Sequence, residues 1–179
     1  GPALLTAIGK ISFGSHLKVS NSPAEIMQGI NRDLCACSPD HMFATAFLMI
    51  LDISSGEGRY ALAAHPFPLI YRAQSRQVED LSGRGMLLGV VEHTPYQEYS
   101  VRLSPGDTVL FYTDGSVEAM DVNQKLYGRE RLSAFVREHG GLPSSELLTR
   151  LQDDQTTFLN GVSRRDDVCL IALKLRSER

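Results

Sequence analysis

Thr108-Val109-Leu110-Phe111-Tyr112-Thr113-Asp114-Gly115-Ser116-Val117-Glu118-Ala119 is the stretch on which the reading of this chain turns. A Pro105-Gly106-Asp107 turn signal precedes it. The run Val109-Leu110-Phe111-Tyr112 is β-branched, aliphatic and aromatic throughout, which predicts a buried strand. The run stops at Asp114-Gly115. A strand ending there delivers a carboxylate to the rim of a rigid element, and the glycine behind it lets the backbone turn and approach closely. An ordinary Asp-Gly turn is the competing reading, because that dipeptide is common turn punctuation.

A second stretch bears on the choice. Arg164-Arg165-Asp166-Asp167 leads into Val168-Cys169-Leu170-Ile171-Ala172-Leu173-Lys174-Leu175, another apolar strand, with the acids now in front. If the two strands are antiparallel neighbours, the end of one lies beside the start of the other. Asp114 then meets Asp166 and Asp167 at one rim of the sheet. Two carboxylates ~5 Å apart repel by roughly 3 kcal/mol at an effective dielectric near 20. A cluster of three is stable only when protonated, spread apart or bound to a cation. All-oxygen donors suit hard ions such as magnesium, manganese or calcium.

Working outward, the 179 residues are enough for one domain with a substantial core. A net charge of −3 gives no strong pull toward nucleic acid or an anionic membrane. No apolar run reaches the length of a membrane span, and the opening residues do not read as a secretory signal. Cys35, Cys37 and Cys169 are an odd number without zinc spacing, which fits a reduced, cytoplasmic compartment better than a disulfide framework.

Ala3 to His16 reads as a helix with Leu4, Leu5, Ile8, Ile11 and Phe13 as its apolar stripe. Ser22-Pro23-Ala24-Glu25 is a helix start, with Ser22 as cap and Glu25 completing a capping box. The following helix turns Ile26, Met27, Ile30 and Leu34 inward, and Ser38-Pro39-Asp40 closes the connection. Phe43 to Asp52 suits a central strand. The Ser54-to-Gly58 turn and Arg59 to Ala64 make it a hairpin. Further strands are expected at Leu69 to Arg72, Val78 to Leu81 and Tyr96 to Leu103. Helices are expected at Arg129 to His139, with Leu132, Phe135 and Val136 on one face, and at Ser144 to Leu159, with Leu147, Leu148, Leu151 and Phe158 inward. The order predicts an α+β fold with a mostly antiparallel sheet.

Several chemistries lack their motifs. There is no phosphate-binding loop ending in Lys-Ser or Lys-Thr, no Gly-x-Ser-x-Gly elbow and no His-Glu-x-x-His. No cysteine has an arginine six positions on, so a cysteine-nucleophile phosphatase loop is absent. The histidines His16, His41, His65, His93 and His139 are scattered. His65 alone sits in a constrained loop, where it either touches a substrate or packs within the turn. Nothing near Cys35 or Cys37 would clearly lower a thiol pKa.

These residues resemble one family. Phe111-Tyr112-Thr113-Asp114-Gly115-Ser116-Val117-Glu118-Ala119 is similar to the Tyr-Thr-Asp-Gly-x-x-Glu-Ala signature of bacterial SpoIIE/RsbU-type serine phosphatases, members of the PPM (protein phosphatase 2C-like) superfamily. Met42-Phe43-Ala44-Thr45 is similar to the family's Met-Phe-x-Thr segment. Ala64-His65-Pro66-Phe67-Pro68-Leu69 resembles its Gly-His-x-Pro-Pro-Leu loop, with alanine for glycine. Tyr127-Gly128-Arg129-Glu130-Arg131-Leu132 resembles its Phe-Gly-x-Glu-Arg-Leu helix start. Asp166-Asp167-Val168-Cys169-Leu170 resembles its Asp-Asp-Ile-Thr-Leu, with Cys169 at the usual threonine. The matches run in family order over nearly the whole chain.

The resemblance implies a PPM-type αββα sandwich of two mostly antiparallel sheets flanked by helices, over residues 1–179 as one domain lacking its N-terminal strands. It implies two manganese or magnesium ions, with Asp114, Gly115 and Asp166 as metal residues and Asp114 and Asp166 as the catalytic carboxylates. Asp167, His65 and Glu118 would stand around the metals or against the substrate. The implied reaction is direct attack of a metal-held water on phosphoserine or phosphothreonine of a STAS-domain anti-anti-sigma factor, in a partner-switching pathway. An upstream sensory domain and cytoplasmic location are implied with it. One departure stands out: the family's Asp-x-x-Gly-His-Gly segment, whose aspartate bridges both metals, has no counterpart before Ala3-Leu4-Leu5. The chain is therefore read either as a fragment, with open sheet edges that favour a homodimer, or as a catalytically inactive phosphatase-like module acting by protein binding.

Overall fold

Four α-helices and seven strands form within residues 2–37 and 42–176, the part of the chain that the computed structural model describes. Ser38-Pro39-Asp40 and His41 lie outside the described residues. The fold is mixed α and β, as the order of elements predicts, and its strands form two antiparallel sheets, as the family resemblance implies. It divides into two units, Gly1–His65 with Gly83–Arg102 and Pro66–Ser82 with Leu103–Arg179.

The first unit holds α1 (Pro2–His16), α2 (Pro23–Cys37), β1 (Ala46–Leu51), β2 (Glu57–Ala63) and β5 (Tyr99–Arg102). Its sheet has the order β1-β2-β5, antiparallel throughout. Residues 46 to 51 therefore form an edge of the described sheet, not its centre as the apolar run suggested, and every one of them is only half-buried. Tyr60 on the central strand stacks between Phe47 and Tyr99, with ring centroids 5.2 and 5.4 Å away. Helix α2 packs on β1 and β2 through Ile26, Met27, Ile30 and Leu34, all buried as expected. Full burial of each such side chain is worth about 1.5–3 kcal/mol.

Helix α1 departs from the expected stripe. Ile11 and Phe13 are 71% and 36% exposed, while Ser12 is buried. The face toward α2 runs Leu5, Ile8, Ser12, His16, a spacing as helical as the apolar one. Its second half is polar because Asp33 of α2 waits there. The Asp33 carboxylate accepts from Ser12 Oγ at 2.5 Å and lies 2.9 Å from His16 Nε2. Burial raises the Asp33 pKa, but the bonds from Ser12 and His16 outweigh it and hold the carboxyl below its usual range. The capping box also forms differently. Glu25 N–H donates to Ser22 Oγ at 3.4 Å, but the Glu25 carboxylate accepts from Ser20 Oγ at 2.6 Å, and the Ser22 N–H goes to Ser20 Oγ. Ser20 stands where the glutamate would have reached.

The second unit holds β3 (Leu69–Arg72), β4 (Gln77–Asp80), β6 (Thr108–Tyr112), α3 (Arg129–His139), α4 (Ser144–Leu159) and β7 (Leu170–Lys174). Its sheet has the order β4-β3-β6-β7, again antiparallel. Helix α4 packs on β7, and α3 on β3 and β4. Leu69, Leu110, Leu132, Val136 and Leu151 make a fully buried core. Asp154 of α4 is tied to Tyr127, in the loop before α3, and to Arg131, in the first turn of α3: the tyrosine hydroxyl donates to Asp154 at 2.6 Å and the guanidinium bonds the same carboxylate.

Candidate functional site

Strands β6 and β7 are antiparallel neighbours, with Tyr112 opposite Leu170. That pairing was the assumption behind the acidic rim. Thr113 extends it by one residue beyond the strands. Its N–H donates to the Cys169 carbonyl at 3.1 Å, its hydroxyl accepts from Cys169 N–H at 3.0 Å and donates to the Asp167 carbonyl at 3.3 Å. A single threonine thus locks the end of one strand to the acidic segment that enters the other. The motif contains Thr113, but no role for it was legible until the partner strand was known.

After Thr113 the chain turns through a short 3-10 turn, Asp114–Ser116. The Asp114 carbonyl takes the N–H groups of Val117 and Glu118, both at 2.9 Å. The Asp114 side chain is exposed, and its Oδ1 accepts the Gly115 N–H at 2.9 Å. Asp166 behaves alike: exposed, with Oδ1 on the Asp167 N–H at 2.8 Å. Among the described residues neither Oδ2 takes a hydrogen bond.

Gly115 explains how the two segments meet. A Cβ placed there would lie 2.5 Å from the Asp167 carbonyl oxygen and 3.3 Å from Asp166 Cβ. The glycine is required for close approach, since its φ is not in the left-handed region. Asp167 contributes its backbone to this contact. No group of three His, Cys, Asp or Glu side chains gathers among the described residues, so the three acids share a rim without forming one tight cluster. Exposed like charges spread apart at little cost, and Asp114 and Asp166 each turn an oxygen to the next backbone N–H.

Gly115, Glu118, Arg165 and Asp166 line a cavity of about 380 Å³. Arg165, Asp166 and Asp167 also line one of about 530 Å³ with Gln152, Gln155 and Arg164. Arg165 is exposed and forms no ion pair among the described residues. His65 belongs to the first unit, where its Nδ1 lies 3.2 Å from Thr45 Oγ1. Ala64, at the position of the family loop's glycine, has a left-handed φ of 49°. Burial first, and then the charge of Glu92, push the Cys35 thiol pKa up, in keeping with an unreactive cysteine.

Sequence reasoning missed one more residue. Gln155 is fully buried on α4, and its Nε2 donates to Ser116 Oγ at 2.7 Å and to the Ser116 carbonyl at 3.0 Å. Its signal was a polar residue four positions from Leu151 and four from Leu159, inside an apolar stripe.

The family model described as Stage II sporulation protein E (SpoIIE) matches residues 2–176. Phosphoserine phosphatase RsbU of Bacillus subtilis is 24% identical over 172 residues, covering 96% of this chain and 51% of that protein. The chain thus spans about half the length of that relative. Among solved structures, the SiaA-PP2C domain of Pseudomonas aeruginosa superposes with a TM-score of 0.85 at 20% identity, over 96% of this chain and 69% of the other. The manganese-presoaked phosphatase domain of SpoIIE from Bacillus subtilis gives 0.66 at 15% identity, over 99% and 74%. Both structural likenesses establish the fold.

Proposed function

Since the chain belongs to the SpoIIE family, we propose that it carries a metal-dependent phosphatase site that hydrolyses phosphoserine or phosphothreonine on a regulatory protein. The observation that carries the proposal is the β6–β7 pairing, which sets Asp114-Gly115 directly against Asp166-Asp167. The rim suits a hard divalent cation in its donor chemistry. Asp114 and Asp166 each keep one carboxylate oxygen clear, and Gly115, having no Cβ, lets the two acidic segments approach closely enough to share an ion. Asp114, Gly115 and Asp166 are the residues that would hold manganese or magnesium. Such an ion supplies an activated water and charge neutralisation to a reaction that is among the slowest known without a catalyst.

The chain's own residues do the rest. Thr113 and Gly115 fix the spacing of the two acidic segments. Arg165, exposed beside Asp166 and facing both cavities, draws in and orients a phosphate dianion. Glu118 forms part of the cavity wall and offers a further carboxylate there. His65, held beside Thr45 in the first unit, is a separate candidate for contact with a protein substrate. The name of RsbU, phosphoserine phosphatase, supports a serine-phosphate substrate. A phosphorylated STAS-domain anti-anti-sigma factor in a partner-switching pathway is the corresponding partner.

The test is manganese titration by calorimetry on this chain and on any longer native form of it, each with an Asp114→Asn control, alongside hydrolysis of a phosphoserine peptide. Binding and turnover that vanish in the Asp114→Asn protein are expected. If neither protein binds manganese, the acids are structural and the domain works as a protein-binding module.

A further inference from the structure

Gln155 sits where the fold alone would place a leucine. On α4 the residues Leu147, Leu151 and Leu159 are buried at spacings of four and eight, and Gln155 completes the stripe with no exposure at all. A buried amide is costly unless its donors and its acceptor are paired. Here it is satisfied from two directions. Nε2 donates to the carbonyl and hydroxyl of Ser116, itself fully buried. Oε1 accepts from Arg164 Nη2 at 3.2 Å.

The two partners are placed alike. Ser116 comes two residues after Asp114, and Arg164 two residues before Asp166. One side chain on a rigid, packed helix therefore grips both segments that carry the candidate metal carboxylates. Thr113 and Gly115 join those segments from the strand side. Gln155 joins them from the helix side. Arg164 Nη1 is buried with no hydrogen-bond partner among the described residues, so this guanidinium is held by its bond to Gln155 and little else.

We propose that Gln155 is a positioning residue that holds the Asp114–Ser116 turn and the Arg164–Asp167 segment in one register, so that metal binding at Asp114 and Asp166 depends on a side chain that touches neither carboxylate. The functional half of this inference rests on the proposed metal role of Asp114 and Asp166. The mechanical half rests on the hydrogen bonds alone.

The experiment compares Gln155→Leu with Leu151→Ala, a cavity-forming change one turn away in the same stripe. Amide hydrogen exchange is the first readout and needs no metal. Gln155→Leu is expected to speed exchange at residues 115–118 and 167–169 together while α4 stays protected. Leu151→Ala is expected to raise exchange across the unit without singling out those two segments. The second readout is manganese affinity by calorimetry, expected to fall about tenfold or more in Gln155→Leu, the usual effect of losing a partner that orients a ligand, and to stay near wild type in Leu151→Ala. Adding Ser116→Ala to Gln155→Leu should cost little beyond the single change, because the two side chains act as one unit. Loosening of only one segment, or of neither, overturns the inference. So does an equal loss of manganese affinity in both variants, which would mark general destabilisation. If the wild-type chain takes up no manganese, the metal reading fails, and the exchange data still decide whether Gln155 couples the two segments.

Discussion

Replacing Gly115 with alanine tests the site at its tightest point. The added Cβ would stand 2.5 Å from the Asp167 carbonyl oxygen. Carbon and carbonyl oxygen come to rest no closer than about 3.3 Å, so roughly 0.8 Å must be found. The obstacle is backbone, and it is held in place: the same carbonyl accepts from Thr113, and Ser116 next door is bound to Gln155. Asp166 Cβ, 3.3 Å away, blocks the other side. The acidic segment must therefore shift away from Asp114. Overpacking of this kind costs about 1–3 kcal/mol, and in a chain of this length each kcal/mol moves the melting temperature by about 2–4 °C. The functional loss should be larger, since a misplacement near 1 Å can cost about 100-fold in rate. Thermal melting by circular dichroism, manganese calorimetry and phosphopeptide turnover, all below the melting temperature of the variant, give the three quantities. A variant that melts at the wild-type temperature and binds manganese with wild-type affinity would show that the two segments are not held against each other as described.

Three other outcomes follow from particular contacts. Ala64 occupies the left-handed region at φ 49°, which costs a residue with a Cβ about 1–2 kcal/mol; Ala64→Gly should raise stability by roughly 0.5–1 kcal/mol after glycine's entropy cost, and an unchanged or lower urea midpoint would count against strain there. Lys174 Nζ donates to the Gly140, Gly141 and Leu142 carbonyls at the end of α3, at 3.2, 2.9 and 3.2 Å; Lys174→Met should cost about 2 kcal/mol, read as a lower urea midpoint with faster amide exchange in the last turn of α3. Burial raises the Asp154 pKa, but the bonds from Arg131 and Tyr127 outweigh it and leave the carboxyl below its ordinary 3.8. Its stabilising effect is thus complete above that value and lost as pH falls through the depressed one. The stability gap between wild type and Asp154→Asn should be widest near neutrality and close in acid, and a gap independent of pH would refute the sign.

The sequence by itself determined what local pattern encodes. The apolar runs of β6 and β7, the helices at Arg129–His139 and Ser144–Leu159 and the stripe of α2 were all legible, because periodicity, glycine stops and proline starts act within a few residues. The motif order also carried the family, which the match over residues 2–176 bears out. What depended on distant partners was decided only by the tertiary structure. Two faces of α1 have helical spacing, and Asp33 on another helix selected the one bearing Ser12 and His16 over the one bearing Ile11 and Phe13. An apolar run does not reveal whether it has one neighbour or two, so a segment that suits a central strand stands as β1 at the edge of the described sheet. At the rim, the sequence named Asp114, Gly115 and Asp166 from two stretches about 50 residues apart, but Thr113 and Gln155 acquire meaning only when those stretches lie side by side. A hydrogen bond has two ends, and for these residues the second end is supplied by the folded chain.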